Sequence, residues 1–160
     1  MGMQTTLKVS TILSWINIVI GGLLVLMGLL GVLMAPNLIM LISVVLTGSI
    51  ILHSYAALQL RKSILNPAVP LSSQTPTGIR FIGFMALFFA ILNIGNSIVI
   101  MQNAEEAIKQ ANLPYQPKGV NLAALVRIVG GFLLLFSIGV AVNVFLSTRL
   151  LRWYMFSKEE

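Results

Sequence analysis

The fold of this chain is decided by its first long apolar stretch, residues 11–34, which have the sequence TILSWINIVIGGLLVLMGLLGVLM. This stretch contains no charged residue and is longer than the roughly 20 apolar residues that a helix needs to cross a bilayer. Three further apolar runs of comparable length follow at 38–60, 79–102 and 121–148. We therefore predict four membrane-spanning helices.

The composition indicates the same fold class. Of the 160 residues, 58% are hydrophobic and only 9% are charged, and the mean hydropathy is +0.97. A soluble domain carries roughly 25% charged residues, so this chain has too few to cover a surface in water. We expect an all-α integral membrane protein whose residues 1–160 form a single antiparallel bundle of four helices.

Several kinds of chemistry are excluded by the residues that the chain lacks. It contains no Cys, which excludes disulfides and thiol chemistry, and no Asp. Its acidic residues are Glu105, Glu106, Glu159 and Glu160, and its one histidine is His53. Metal sites normally need several His, Cys or carboxylate ligands, and paired-carboxylate catalysis needs a buried pair of acids, whereas no acidic residue lies within an apolar run. We expect no enzymatic activity, no metal and no cofactor.

The basic residues predict the orientation in the membrane. If the chain crosses four times, one side carries Lys8, Arg61, Lys62, Arg80, Arg149, Arg152 and Lys158. The other side carries Lys109, Lys118 and Arg127. Cytoplasmic loops are enriched in Lys and Arg, so both termini are expected in the cytoplasm, at a plasma or bacterial inner membrane. The net charge of +6 then reflects topology, and no nucleic-acid partner is expected.

The connections between the spans differ in length and composition. Residues 35–37 are predicted to form a tight outer turn, and the proline-containing segment 61–78 an irregular cytoplasmic connection. The outer loop 103–120 is predicted to contain a short helix over 104–112, supported by the spacing of Glu105 and Lys109.

Small residues recur at steps of three and four along each apolar run. The main positions of this small-residue seam are Ser14, Asn17, Gly21, Gly28, Gly31, Gly83, Ala86, Ala90, Gly130 and Ser137. On the fourth run, the same steps continue through Leu134 to Ala141. Helices associate in lipid through close contact of small residues, and this heptad-like spacing predicts left-handed packing.

Polar side chains within the apolar runs are the candidate functional residues. They are Asn93, Asn96, Ser97, Asn143 and His53. A buried amide in hydrocarbon must find a hydrogen-bond partner, so Asn93 is expected either to join helices or to line a solute path. His53 is expected either to be structural or to have a gating or ligand-binding role.

Arg127 lies within the fourth apolar run, near its outer end. Its long side chain can extend to the outer interface, but it also falls on the seam of the fourth run, where an inward side chain could contact an anion or a lipid head group. We expect the interfacial position first and keep the inward contact as the alternative.

Three functions remain open on this sequence, which carries no family motif. The first is a helix-packing scaffold or accessory subunit that associates with itself or with another membrane protein. The second is a small-solute or ion channel or transporter lined by the intramembrane Asn and Ser residues. The third is binding of a lipid or hydrophobic ligand between helices. Membrane lipids are expected partners in all three cases.

Overall fold

The computed structural model describes residues 2–111 and 120–157, and the regular structure within them is entirely helical. Its helices are α1 (Met3–Met34), α2 (Leu38–Leu65), α3 (Gln74–Gln102), α4 (Ala104–Ala111) and α5 (Leu122–Phe156). All but the short α4 are long and apolar enough to cross a membrane. The structure thus confirms the all-helical class and the four apolar helices of a small multi-pass membrane protein.

The long helices extend beyond the predicted apolar runs. α1 begins at Met3, α2 continues to Leu65, α3 begins at Gln74 and α5 continues to Phe156. Hydropathy identifies only the apolar segment of each helix that lipid can surround. The backbone hydrogen bonds of the helix continue beyond that segment through Lys, Arg and Gln, which favour helix. The irregular part of the predicted 61–78 connection is therefore only 66–73. The predicted outer helix is α4, and residues 112–119 of its loop lie outside the described residues.

Asparagine side chains cap the first turns of two helices, α2 and α5. The side-chain oxygen of Asn37 accepts a hydrogen bond from the backbone N–H of Ile39 at 2.8 Å and caps α2. Asn121 caps α5 in the same way, through the N–H of Ala124 at 3.0 Å. These contacts satisfy N–H groups that have no partner within the first turn of a helix.

One end of the bundle is closed by an apolar cluster. The first turns of α1 and α3 meet the last turns of α2 and α5 there, and the cluster contains Leu7, Leu60, Ile79, Leu150 and Leu151. We call this the terminal end, and the end that carries α4 the loop end. Within the described residues α1 contacts α2 and α5 but not α3. α1 and α3 therefore occupy opposite corners of the bundle.

Burial is concentrated in the half of the bundle near the terminal end. On α1 the last buried residue is Gly21, and on α2 the first is Thr47. No described residue between these two is buried, although they include the ends of both helices. Apart from Leu24, which packs against the apolar cluster that contains Ala90 and Phe136, the loop-end part of the α1–α2 pair, residues 22–46, therefore has little contact with α3 and α5. We call it the outer hairpin.

Glycines allow α1 to approach α2 closely along this hairpin. A Cβ placed on Gly28 would lie 2.6 Å from Cγ2 of Val44, and one on Gly31 would lie 2.9 Å from Sδ of Met40. Gly22, by contrast, has no atom within 4 Å of such a position. Gly28 and Gly31 thus set the spacing of the two helices.

Candidate functional site

Polar side chains are concentrated in one layer of the buried half. α1 contributes Ser10, Ser14 and Asn17, α2 contributes His53 and Ser54, and α5 contributes Asn143 and Ser147. We call these seven residues the polar cluster. None has more than 4% of its surface exposed, so each hydrogen bond missing among them is costly in lipid.

Asn143 lies at the centre of the polar cluster. Its Oδ1 accepts a hydrogen bond from Ser10 Oγ at 3.0 Å, and its Nδ2 donates to Ser14 Oγ at 3.1 Å. The same Nδ2 donates to Ser54 Oγ at 3.5 Å. One amide thereby joins α5 to both α1 and α2. An amide has both donors and acceptors, so it can hold two helices at once.

Ser147 extends this network by one helical turn. Its Oγ donates to the backbone oxygen of Asn143 at 2.7 Å and lies 3.4 Å from Ser10 Oγ. Ser147 is not among the candidate residues predicted from the sequence. The signal available there was its spacing of four from Asn143, which places both on one face of α5.

His53 lies against the backbone of α3. A Cβ on Gly83 would be 2.9 Å from His53 Nδ1, so only glycine leaves room for the ring at this position. The backbone of Ile79 is near the imidazole, but neither ring nitrogen completes a hydrogen bond to a described residue. Asn17 Oδ1 is also buried without a partner in the described part of the chain. Within the described part of the chain, the polar-cluster atoms that lack a hydrogen-bond partner are therefore the two ring nitrogens of His53 and Oδ1 of Asn17.

The other predicted lining residues lie nearer the loop end. Asn93, Asn96 and Ser97 line an open groove of about 450 Å³ between α3 and α5, beside α4. Asn93 Nδ2 donates to the backbone oxygen of Phe89 in its own helix at 3.1 Å, and Asn96 is exposed. Among the described residues Asn93 has no hydrogen bond to another helix, whereas the packing alternative expected one.

An apolar layer separates the two groups of polar residues. Ile50, Ala86 and Val140 are buried together one helical turn from Ser54, Gly83 and Asn143. A cavity of about 200 Å³ lies on the loop-end side of this layer, and its polar lining residues are Thr47, Asn93 and Ser137. The candidate lining residues therefore do not form one continuous polar path.

The small-residue seam is mostly inside the bundle. Gly28 and Gly31 are half-buried, and the other eight positions are buried, namely Ser14, Asn17, Gly21, Gly83, Ala86, Ala90, Gly130 and Ser137. Arg127 is exposed near the start of α5, so it does not take the inward position that the seam indicated. Its contact with an anion or a lipid head group stays a prediction.

Comparisons of the chain with known protein families, with characterised proteins and with solved structures give no match. Function is therefore argued from the arrangement of the residues themselves.

Proposed function

We propose that the protein is a membrane-embedded scaffold or accessory subunit without catalytic chemistry, which assembles with itself or with another membrane protein. The observation that carries this proposal is the outer hairpin. Residues 22–46 include no buried residue, whereas hydrogen bonds of the buried polar cluster join the helices in the opposite half of the bundle. One half thus maintains the fold, and the other is free to contact a second protein.

Close helix pairing makes the outer hairpin suitable for assembly. Exposed leucine alone does not require a partner, because lipid tails are as apolar as leucine. A fixed surface is needed as well, and the contacts of Gly28 with Val44 and of Gly31 with Met40 hold the two helices as one unit. Specific association in lipid depends on shape complementarity of this kind.

We further propose that the four long helices pack antiparallel in a left-handed bundle. The contacts of α1 with α2 support this direction, since the partner moves from Ile51 to Met40 as the glycine moves from Gly21 to Gly31. Heptad burial on α5 supports the handedness. The buried positions spaced by seven are Gly130, Ser137, Val144 and Leu151.

The terminal end is proposed to face the cytoplasm, with both termini. Basic residues support this orientation through the positive-inside rule. The described ones at the terminal end are Lys8, Arg61, Lys62, Arg80, Arg149 and Arg152, against Lys109 and Arg127 toward the loop end. As its location we propose a plasma or bacterial inner membrane, each of which has a cytoplasmic side to which this rule applies.

A solute path has less support. The apolar layer of Ile50, Ala86 and Val140 lies between the polar cluster and the groove of Asn93 and Asn96. A conduit through the bundle would have to open this layer.

Native mass spectrometry and cysteine crosslinking would test the assembly. Gentle extraction from the membrane is expected to give a multiple of the 17.4 kDa chain mass, or a complex with a second protein. The chain has no Cys, so single variants Leu23→Cys, Met27→Cys and Leu30→Cys report contact between copies at the outer hairpin alone.

Matched controls are Phe81→Cys and Phe145→Cys, which are equally exposed but lie in α3 and α5 near the terminal end. For a homo-oligomer, oxidation in the membrane is expected to produce dimers from the hairpin variants and not from these controls. A bare monomer by mass, with no preference between the two sets, would overturn the proposal.

A further inference from the structure

A groove on the α3–α5 face near the terminal end combines a basic mouth with an apolar floor. It has a volume of about 430 Å³, within the range of roughly 300–1,000 Å³ that is typical of small-molecule sites. Its mouth is formed by Arg80, Arg149 and Arg152. Its apolar floor contains the buried Val144 and the half-buried Leu87, and the exposed Phe84 and Phe145 lie along its sides.

The helical spacing explains this polarity. On α3, Arg80, Phe84 and Leu87 are separated by four and three residues, so they share one face. On α5, Arg152, Arg149 and Phe145 follow the same spacing in the opposite order along the chain. Both faces therefore change from cationic to apolar over about 10 Å of helix, directed from the terminal end toward the middle of the bundle.

The arginines lack nearby acidic groups in the described part of the chain. The described glutamates, Glu105 and Glu106, belong to α4 at the loop end. Glu159 and Glu160, which follow α5 in sequence, lie outside the described residues. All three guanidinium groups are on exposed residues, and Arg80 Nη2 donates only a weak hydrogen bond, to Met155 Sδ at 3.4 Å.

From this geometry we infer a binding site for one anionic phospholipid. The phosphate of the lipid contacts Arg80, Arg149 and Arg152, and an acyl chain lies against Phe84, Leu87 and Phe145. Arginine suits this role, because its planar group donates several hydrogen bonds to one phosphate. The apolar floor distinguishes a lipid from a free phosphate ion, which would gain nothing from it.

Lipid retention measured by native mass spectrometry tests the site. The purified protein in detergent is titrated with phosphatidylglycerol and, separately, with phosphatidylcholine that has the same acyl chains. Wild type is expected to retain one phosphatidylglycerol in preference to phosphatidylcholine. The Arg149→Gln/Arg152→Gln variant is expected to weaken that retention about 25-fold, since each basic residue near an anionic lipid contributes about five-fold.

The matched control is Lys8→Gln/Lys62→Gln, which removes two charges from exposed residues of α1 and α2 at the same end. It is expected to change retention less than about three-fold. A second variant, Leu87→Trp, keeps every arginine and fills the floor, and it is expected to reduce lipid retention as well. Each variant is first checked for an unchanged unfolding temperature.

Three results would overturn the inference. Equal losses in the arginine and lysine variants would indicate a diffuse charge effect. Equal retention of the two lipids would exclude head-group recognition. Full displacement of the lipid by millimolar inorganic phosphate, with no effect of Leu87→Trp, would indicate a site for the free ion.

Discussion

At the scale of single residues, Asn143 is expected to hold the bundle together. Its side chain hydrogen-bonds to Ser10, Ser14 and Ser54 on two other helices. Interhelical hydrogen bonds in membranes contribute about 0.6 kcal/mol on average and up to about 1.7 kcal/mol. Asn143→Ala is therefore expected to lower the free energy of unfolding by about 2 kcal/mol, measured by reversible denaturation in mixed micelles.

Asn93→Ala is the matched control for this amide. The side chain of Asn93 donates to Phe89 in its own helix and, within the described part of the chain, joins no second helix. Its removal is expected to cost about 0.5 kcal/mol or less. Equal effects of the two variants would contradict the role given to the polar cluster.

Gly83 is expected to be required by the position of His53. A methyl group on Gly83 would lie 2.9 Å from His53 Nδ1, and a buried ring cannot move aside without disturbing its neighbours. Gly83→Ala is expected to lower the free energy of unfolding by about 1–3 kcal/mol. In a His53→Ala background the same change is expected to cost almost nothing, which a double-mutant cycle measures.

Gly95→Ala is the control on the same helix, because no atom lies within 4 Å of a Cβ at that position. It is expected to be neutral or slightly stabilising, since alanine favours helix. If Gly83→Ala cost the same with and without His53, the proposed contact between ring and backbone would be wrong.

At the scale of helices, the pairing of α1 with α2 predicts an order among three glycines. Gly28 meets Val44, whose branched side chain has little rotamer freedom, whereas Gly31 meets the flexible Met40. We expect Gly28→Ala to cost about 1–2 kcal/mol and Gly31→Ala about 0.5 kcal/mol. Gly22→Ala should cost nothing, because its position is open. Unfolding free energies of the three variants measure the order, and equal values would contradict it.

The sequence predicted the helices more completely than their contacts. Hydropathy alone locates the four apolar runs, because the lipid requirement applies to each helix separately. The seam on the fourth run was less accurate. A step of four from Ser137 predicts Ala141 as the next inward position. Ala141 is half-buried in the structure, whereas Val140 and Val144 are buried. A step of three or of four is equally compatible with the residue types there, and only the neighbouring helices decide between them.

For the same reason, the sequence could not predict which polar side chains contact each other. Asn93 and Asn143 are both amides within apolar runs, and the sequence makes both candidates for lining one solute path. In the structure Asn143 joins three helices, whereas Asn93 lies across an apolar layer from it and bonds within α3. Which polar groups meet depends on how the helices pair and at what depth, and no single run of sequence contains that information.

At the scale of the whole molecule, the charge distribution predicts opposite accessibility of the two ends. Because the chain has no Cys, a single introduced thiol reports its own side of the membrane. Ser72→Cys lies in the exposed connection between α2 and α3, and Gln110→Cys lies on the exposed surface of α4. In intact cells, a membrane-impermeant maleimide is expected to label Gln110→Cys within minutes and Ser72→Cys only after permeabilisation.

Ser72 is expected on the cytoplasmic side because moving Arg and Lys across the bilayer is costly. Connections flanked by basic residues therefore stay in the cytoplasm. Wild type provides the unlabelled background, since it has no thiol. Labelling of Ser72→Cys in intact cells, with Gln110→Cys protected, would show that the orientation is the opposite of the proposed one. The arginine-rimmed groove between α3 and α5 would then open to the outer leaflet, so the labelling result also determines which leaflet must supply its anionic lipid.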